Sequence, residues 1–476
     1  MKRFYSFLVL LVIAGSIVSC KKDDPPAPDN FANFESASQG IDEATAEVSF
    51  AVKLSRAADK DVTVNVQLQD SGVVYATHYT TVPATTGGTL AVTIPAGSTS
   101  ASFKLKKASD IFLSGSEYVN FTIQSASTPA KVGTTAALKV LFSSIVSKGT
   151  TNFQLSGIAG SEAGSSAANS VFVDLSNNKQ TPVLRASWDL GFYAGNEFRV
   201  IINNTTGANA VKVNKTDINS VSLADIDLTK TPLTFGQGEG DLAFVDDVTG
   251  DLTKTVIGEV SATDADNKVY IINRANGAGF GSLYAGTADS LIKVRVLKTA
   301  TGYTLQYASI KETTFKTVNI TKNSSYNFQY VSFNKGAEVA VQPLKSAWDI
   351  EWTYNTYKTA LSADAYVPYA YPDFVLVNDK GGVKVAQILT TTKTYDAYAE
   401  ADIASTTFAA DRNLIGSSWR STGGPGGGAT GAKTDRFYVV KDAAGNVYKL
   451  KFISMGAGDG GTRGKPVVEY ALVKKG

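Results

Sequence analysis

The residues best suited to chemistry are five tyrosines in one stretch, "TYNTYKTALSADAYVPYAYPD": Tyr354, Tyr357, Tyr366, Tyr369 and Tyr371. Each offers a flat ring and a hydroxyl at low entropic cost, which suits a porphyrin, an aromatic ligand, a sugar or a protein partner. The same rings can close a long loop by packing on one another, and the sequence leaves both readings open. Catalytic groupings are scarce. A Ser, His and Asp triad would have to recruit the single histidine, His78, from another domain, and no GxSxG elbow is present. One cysteine and one histidine make no zinc cluster. "GGPGGGATGAKT" lacks the Gly directly before Lys that a phosphate cradle requires, and it reads as a flexible linker after Trp419. The carboxylates of "GEGDLAFVDD" and "DADN" have the chemistry of a calcium loop or a glycosidase pair, but solvated turns explain them better. The inventory predicts a protein that binds and is not an enzyme.

The elements that must position these side chains are strands. Tyr (21), Phe (23) and Gly (42) are plentiful and Met (2) is scarce, a bias toward strands and turns, and 476 residues exceed one core. Basic residues (45) barely exceed acidic ones (43) and are scattered, so no nucleic-acid footprint is visible. The only cysteine, Cys20, excludes an internal disulfide and follows an apolar run from Phe7 to Ile17 that is preceded by Lys2 and Arg3. With Ser19 before the thiol, "IVSC" resembles a bacterial lipobox, which implies a lipidated Cys20 as mature N-terminus and an anchor in the bilayer. No later segment supplies the roughly 20 apolar residues of a membrane span. "KKDDPPAPDN" reads as an extended spacer. Its "KKDD" resembles a surface-export signal of some Gram-negative lipoproteins, implying an outer-membrane location facing the cell exterior.

From Phe31 to about Phe142 apolar and polar residues alternate, as in Val48, Phe50, Val52, Leu54 and Val62, Val64, Val66, Leu68, with polar turns between the runs. Period two predicts half-buried strands at the spacing of an antiparallel sandwich. "IDEATAEVSFAVKLS", "THYTT", "TIPAGSTSASFKL" and "SEYVNFTI" resemble a Calx-beta domain, an immunoglobulin-like fold. Where that family places an acidic calcium ligand before Tyr this chain has His78, a poor ligand for a hard cation, although Glu43, Asp110 and Glu117 remain. Calcium is therefore not carried over, and no metal site is assigned.

The rest of the chain contains a long internal repeat. "NSVFVDLSNNKQTPVLRASWDLGF", "FRVIINNTTGANAVKV", "KVYIINR" and "SLIKVRVL" reappear in order as "YNFQYVSFNKGAEVAVQPLKSAWDIEW", "FVLVNDKGGVKVAQI", "RFYVVKD" and "VYKLKFI". Trp188 and Trp348 lie 160 residues apart, which predicts two duplicated domains. Both copies resemble the HmuY-like family of bacterial surface lipoproteins in the strand before the motif, "WD" plus an apolar residue, the Asn and Gly turn, and the closing "FYVVKDAAGNVYKLKF".

The expected organisation is all-β: signal peptide 1–19, lipidated Cys and spacer 20–30, immunoglobulin-like sandwich 31–145, and HmuY-like repeats 146–312 and 313–476. The resemblance implies capture of haem or a related ligand for an outer-membrane uptake receptor. The family's paired His or Met axial ligands are absent from both copies, so haem would need a tyrosine oxygen from Tyr366, Tyr369 or Tyr371. The alternative is a surface adhesion or scaffold protein that binds glycan or a partner protein without haem. Trp188, Asp189, Trp348 and Asp349 are expected to mark the fold, an indole filling each core and a carboxylate accepting hydrogen bonds from a turn. The ligand is expected instead at segments where the copies differ, namely the tyrosine stretch of copy two and the long "LTKTPLTFGQGEGDLAFVDDVTGDLTK" of copy one.

Overall fold

The computed structural model describes residues 28–476 apart from 42, 44, 110, 144, 232, 237–238, 276–283, 288 and 424–427, and the proposed lipidation residue Cys20 and "KKDD" lie outside these. Two compact units form, residues 1–145 and 146–476. Both are built from mainly antiparallel strands, so the all-β expectation holds.

In the first unit, period two places alternate side chains on opposite faces. Val62, Val64 and Val66 are fully buried, while Thr63, Asn65 and Gln67 between them are partly exposed. One sheet runs Tyr79–Val82, Ser100–Lys107, Glu47–Leu54, Asn30–Phe34, Ala130–Val132; the other runs Ser38–Ile41, Ala137–Phe142, Tyr118–Ala126, Val62–Ser71, Thr89–Ile94. Phe50, Phe103 and Phe121 meet between them with ring centroids 5.1–6.1 Å apart. The result is the expected immunoglobulin-like sandwich. Its candidate calcium residues are engaged locally. The Glu117 carboxylate accepts the N–H groups of Ser114 and Gly115 at 3.0 and 2.9 Å, and His78 Nδ1 accepts the Val74 N–H at 2.8 Å. Asp110 lies outside the described residues.

The second unit holds two five-stranded and two four-stranded sheets among its described residues. The first five-stranded sheet runs Asn209–Val213, Val269–Asn273, Leu291–Lys298, Gly302–Ser309, Lys316–Thr321. The second runs Lys384–Leu389, Arg436–Lys441, Val447–Ser454, Val467–Lys474, Gly149–Gln154. The four-stranded sheets are Val200–Ile202, Leu190–Tyr193, Phe328–Ser332, Ala337–Val339, and Lys179–Leu184, Asn169–Asp174, Ile350–Ala360, Tyr366–Val377.

Strand pairing runs across the boundary expected between 312 and 313. Strands Lys316–Thr321 and Phe328–Ser332 lie after that boundary, yet they pair with Gly302–Ser309 and Leu190–Tyr193. Conversely, Gly149–Gln154 and Asn169–Asp174 pair with Val467–Lys474 and Ile350–Ala360. Strands on either side of residue 313 therefore complete sheets on the other side. One half of the unit is the continuous stretch 185–342, with a core of Leu190, Phe192, Val294, Leu305, Val331 and neighbours. The other half joins 146–184 to 343–476 around Trp352, Trp419, Tyr438, Phe452 and Tyr470. Sequence similarity fixes the period of a repeat but not its phase, and only hydrogen bonding shows where each half begins.

Candidate ligand-binding cleft

The repeated Trp and Asp residues sit in matching surroundings. The Trp188 ring meets Tyr330 edge-on at 4.8 Å, and Trp348 meets Phe172 at 5.2 Å; both indoles are 5% exposed. The Asp189 N–H donates to the Val331 carbonyl at 2.8 Å, and its carboxylate accepts the Phe333 N–H at 2.6 Å. The Asp349 N–H donates to the Val173 carbonyl at 2.7 Å, and its carboxylate accepts the Leu175 N–H at 2.8 Å. Asn203 and Asn378 each donate at 2.8 Å to the carbonyl of the local tryptophan. Each aspartate thus clasps the end of a neighbouring strand, because an extended chain turns its peptide N–H toward whatever acceptor lies beside it. The two sites differ in charge. Burial raises both carboxyls, but at Asp189 the Arg274 guanidinium, 2.6 Å away, opposes the rise, whereas at Asp349 the negative charges of Asp174 and Asp442 add to it.

The tyrosine stretch is not a loop. Strands Ile350–Ala360 and Tyr366–Val377 form one long hairpin in which Tyr357 lies opposite Tyr369, with a bulge between Thr353 and Asn355. Tyr and β-branched residues favour a paired, half-buried strand, and pairing leaves few backbone groups unmet. Tyr357, Tyr369, Tyr371 and Phe374 share a face and pack on one another with centroids 4.9–6.1 Å apart. Tyr354 is buried beneath the Arg185 guanidinium at 4.2 Å, while Tyr366 is 49% exposed and is approached by Lys358. The hairpin is rooted by Asp373, 1% exposed, which pairs with Arg463 at 2.5 Å and Arg420 at 3.9 Å. The structure thus brings three of the five tyrosines together and separates Tyr354 and Tyr366 from them.

A cleft opens where the two halves meet, with a cavity of about 50 Å³ inside about 730 Å³ of space continuous with solvent. Its walls are Ile201 to Asn204 and Asp246 to Leu252 from one half, and Trp348, Asn355, Thr356, Asn378 to Lys380 and Arg412 from the other, with Gln342 at the join. Both segments expected to differ between the copies reach it. The Asn204 carbonyl accepts the N–H and hydroxyl of Thr356 at 2.9 and 2.8 Å, and Asn327 donates to Asn378 at 2.8 Å, fixing the halves together. The Asn413 side chain donates to the Val248 carbonyl at 2.7 Å and Lys380 to that of Gly250 at 3.2 Å. Gly250 is required at its turn: its φ is +81°, and a Cβ there would stand 3.0 Å from Arg412.

Two carboxyls near the cleft escaped the sequence reading. Asp246, in "FVDD", read there as a solvated turn, accepts the N–H groups of Ile202 and Val256 at 2.8 Å each and is pushed up to about 7 by burial. Glu351 is 6% exposed and is likewise pushed up to about 7 by burial. The positive charge of Arg412 opposes both shifts. A carboxyl whose proton affinity rises on folding stabilises the fold below its ordinary range and loses that contribution as pH climbs through the raised value. The melting temperature is therefore expected to fall between about pH 5 and about pH 8, and Glu351→Gln should flatten that slope in thermal melts across the range. An unchanged slope would remove Glu351 from the account.

Among the described residues no group of three or more His, Cys, Asp or Glu is arranged to hold a metal, and no helix is long and apolar enough to cross a membrane. Haem does not fit this cleft. Porphyrin sites need several hundred Å³, of order 300–1,000. The cavity is about 50 Å³, Met455 is fully buried in a core, and Tyr369 and Tyr371 are packed ring to ring at 4.9 Å.

Comparison with known proteins gives three kinds of result. No curated protein matches the chain. Among solved structures, an apo-form Calx CBD1 domain is 16% identical, covering 24% of this chain and 96% of its own, with a TM-score of 0.21. A putative carbohydrate binding protein from Bacteroides ovatus is 11% identical, covering 59% of this chain and 67% of its own, with a TM-score of 0.18. A two-domain protein of unknown function from Bacteroides fragilis is 13% identical, covering 41% and 74%, with a TM-score of 0.19. Likenesses of this size carry no argument about ligand. The family model described as HmuY protein, by contrast, matches residues 166–470, which span both halves of the second unit and the whole cleft between them. The chain belongs to the HmuY family.

Proposed function

We propose that this chain is a lipid-anchored protein of the outer cell surface that captures a small ligand in the cleft for delivery to an uptake receptor, without catalysis. Two tandem copies of one ancestral domain, re-phased by their strand pairing, form its second unit, and Cys20 supplies the tether. The observation that carries the reading is convergence: the segments in which the copies differ, around Asp246 to Leu252 and around Asn355 and Thr356, line one cavity. A duplicated scaffold holds still while its variable segments meet at the join, a usual place for a ligand.

The test is a thermal-melt panel on the protein lacking residues 1–20, with monosaccharides, amino acids and hemin as probes. A ligand at a hundredfold over its Kd adds about 2.7 kcal/mol, so a saturable rise of about 5 °C is expected from at least one small polar probe. No shift from any probe would sink the reading. A Soret shift with hemin, abolished by Tyr366→Phe, would move the site to the hairpin and restore haem. The adhesion reading draws support from the hairpin tip, where Leu361 and Tyr366 are 59% and 49% exposed. It expects a silent panel together with glycan or partner binding that depends on those two residues.

A further inference from the structure

Two groups bordering the cleft define what it lacks. Trp348 is 5% exposed, and its indole Nε1 has no hydrogen-bond partner among the described residues. The side-chain oxygen of Gln342, also buried, has none either, and both residues line the same cavity. An unmet buried polar group is costly, and two beside one cavity of this size indicate a missing occupant.

Two pairs of charges meet near them, Lys380 with Asp379 at 3.1 Å and Asp251 with Lys254 at 2.9 Å. Asp246 feels the positive charge of Arg412 and the negative charge of Asp247. The orphans are one neutral donor and one neutral acceptor. A hydroxyl is the neutral group that accepts from an indole N–H and donates to an amide oxygen with the same atom. The enclosed part holds roughly four waters by volume, room for one or two hydroxyl-bearing groups of a ring that lies in the open cleft around it. Trp348 and Phe328 add apolar surface for a C–H face, and Asn204, Asn355 and Thr356 add further polar groups.

We infer that the cleft binds a neutral polyhydroxylated ring, a monosaccharide or the terminal sugar of a glycan, with Gln342 and Trp348 gripping one of its hydroxyls. This inference rests on the capture reading and names its ligand class. Titration of D-glucose, D-galactose, D-mannose and N-acetyl-D-glucosamine, read by calorimetry on the protein lacking residues 1–20, tests it.

At least one sugar should bind saturably. Gln342→Leu should weaken it about tenfold, the scale of one lost hydrogen bond, while leaving the melting temperature equal or higher because an orphan oxygen is removed. Trp348→Phe, which keeps a ring but deletes the donor, gives a second reading should Gln342→Leu fail to fold. Tyr366→Ala, at the hairpin tip, should leave sugar binding unchanged. A folded protein that binds none of the four sugars, or whose affinity ignores both cleft substitutions, overturns the inference and leaves water as the occupant. If another member of the thermal-melt panel still shifts the melt, capture survives without sugar; if none does, both readings fall.

Discussion

A fragment of residues 185–342 is expected to fold alone, whereas a fragment cut at the sequence-repeat boundary, 146–312, is expected not to. The first contains every strand of one five-stranded and one four-stranded sheet and the whole of the core around Leu190, Val294 and Val331. The second loses Lys316–Thr321, Phe328–Ser332 and Ala337–Val339, and with them the buried Val318, Ile320, Phe328, Tyr330, Val331 and Phe333. It also strands the Asn169–Leu184 hairpin without its Ile350–Ala360 partner. At about 1.5–3 kcal/mol for each buried side chain, that loss matches or exceeds the 5–15 kcal/mol by which a domain is stable. Far-UV circular dichroism and urea unfolding decide the matter. A cooperative transition for 146–312, or none for 185–342, would contradict the pairing across residue 313.

Asp189→Asn and Asp349→Asn, the same change at matching positions, are expected to act in opposite directions. Asp189 carries a buried charge paired with Arg274 at 2.6 Å and accepts the Phe333 N–H. Neutralising it leaves the guanidinium without its partner and should cost about 3 kcal/mol. Asp349 has Asp174 and Asp442 near it instead of a cation, and an amide oxygen can still accept the Leu175 N–H. Its raised carboxyl destabilises the fold once pH exceeds its ordinary range, so Asp349→Asn should be neutral or stabilising at about pH 8 and lose that advantage near about pH 4. Urea midpoints at the two pH values measure both effects. Equal losses at the two sites would show that the carboxylates act as equivalent clasps and that their charge does not matter.

Strand periodicity made the first unit legible from its sequence, since Val62, Val64 and Val66 must share a face whatever surrounds them. The indoles of the repeated Trp-Asp pairs lie buried against aromatic neighbours, together in one cluster with Phe172, Phe328 and Tyr330. The tyrosine stretch was legible in composition but not in shape. Its length suggested a loop, yet cross-strand pairing of Tyr357 with Tyr369 extends the strands into a hairpin. Where each half begins was invisible, because a strand's partner is set by hydrogen bonds between segments distant in sequence, such as Asn169–Asp174 with Ile350–Ala360.

Most of the cleft was invisible for the same reason. Asp246 looks like any surface aspartate until Ile202 and Val256 point their N–H groups at it, and nothing local marks Gln342, Glu351 or Arg412. What the sequence did supply were the two segments singled out as ligand candidates, and both reach the cavity.

Amide hydrogen exchange, followed by mass spectrometry with and without the sugar of highest affinity, tests the central claim most directly. Protection is expected in three separated peptides that share only the cleft, around Asp246 to Leu252, Asn355 and Thr356, and Asn378 to Lys380. Protection confined to Tyr366 to Tyr371 on the hairpin, with those three peptides unchanged, would contradict it.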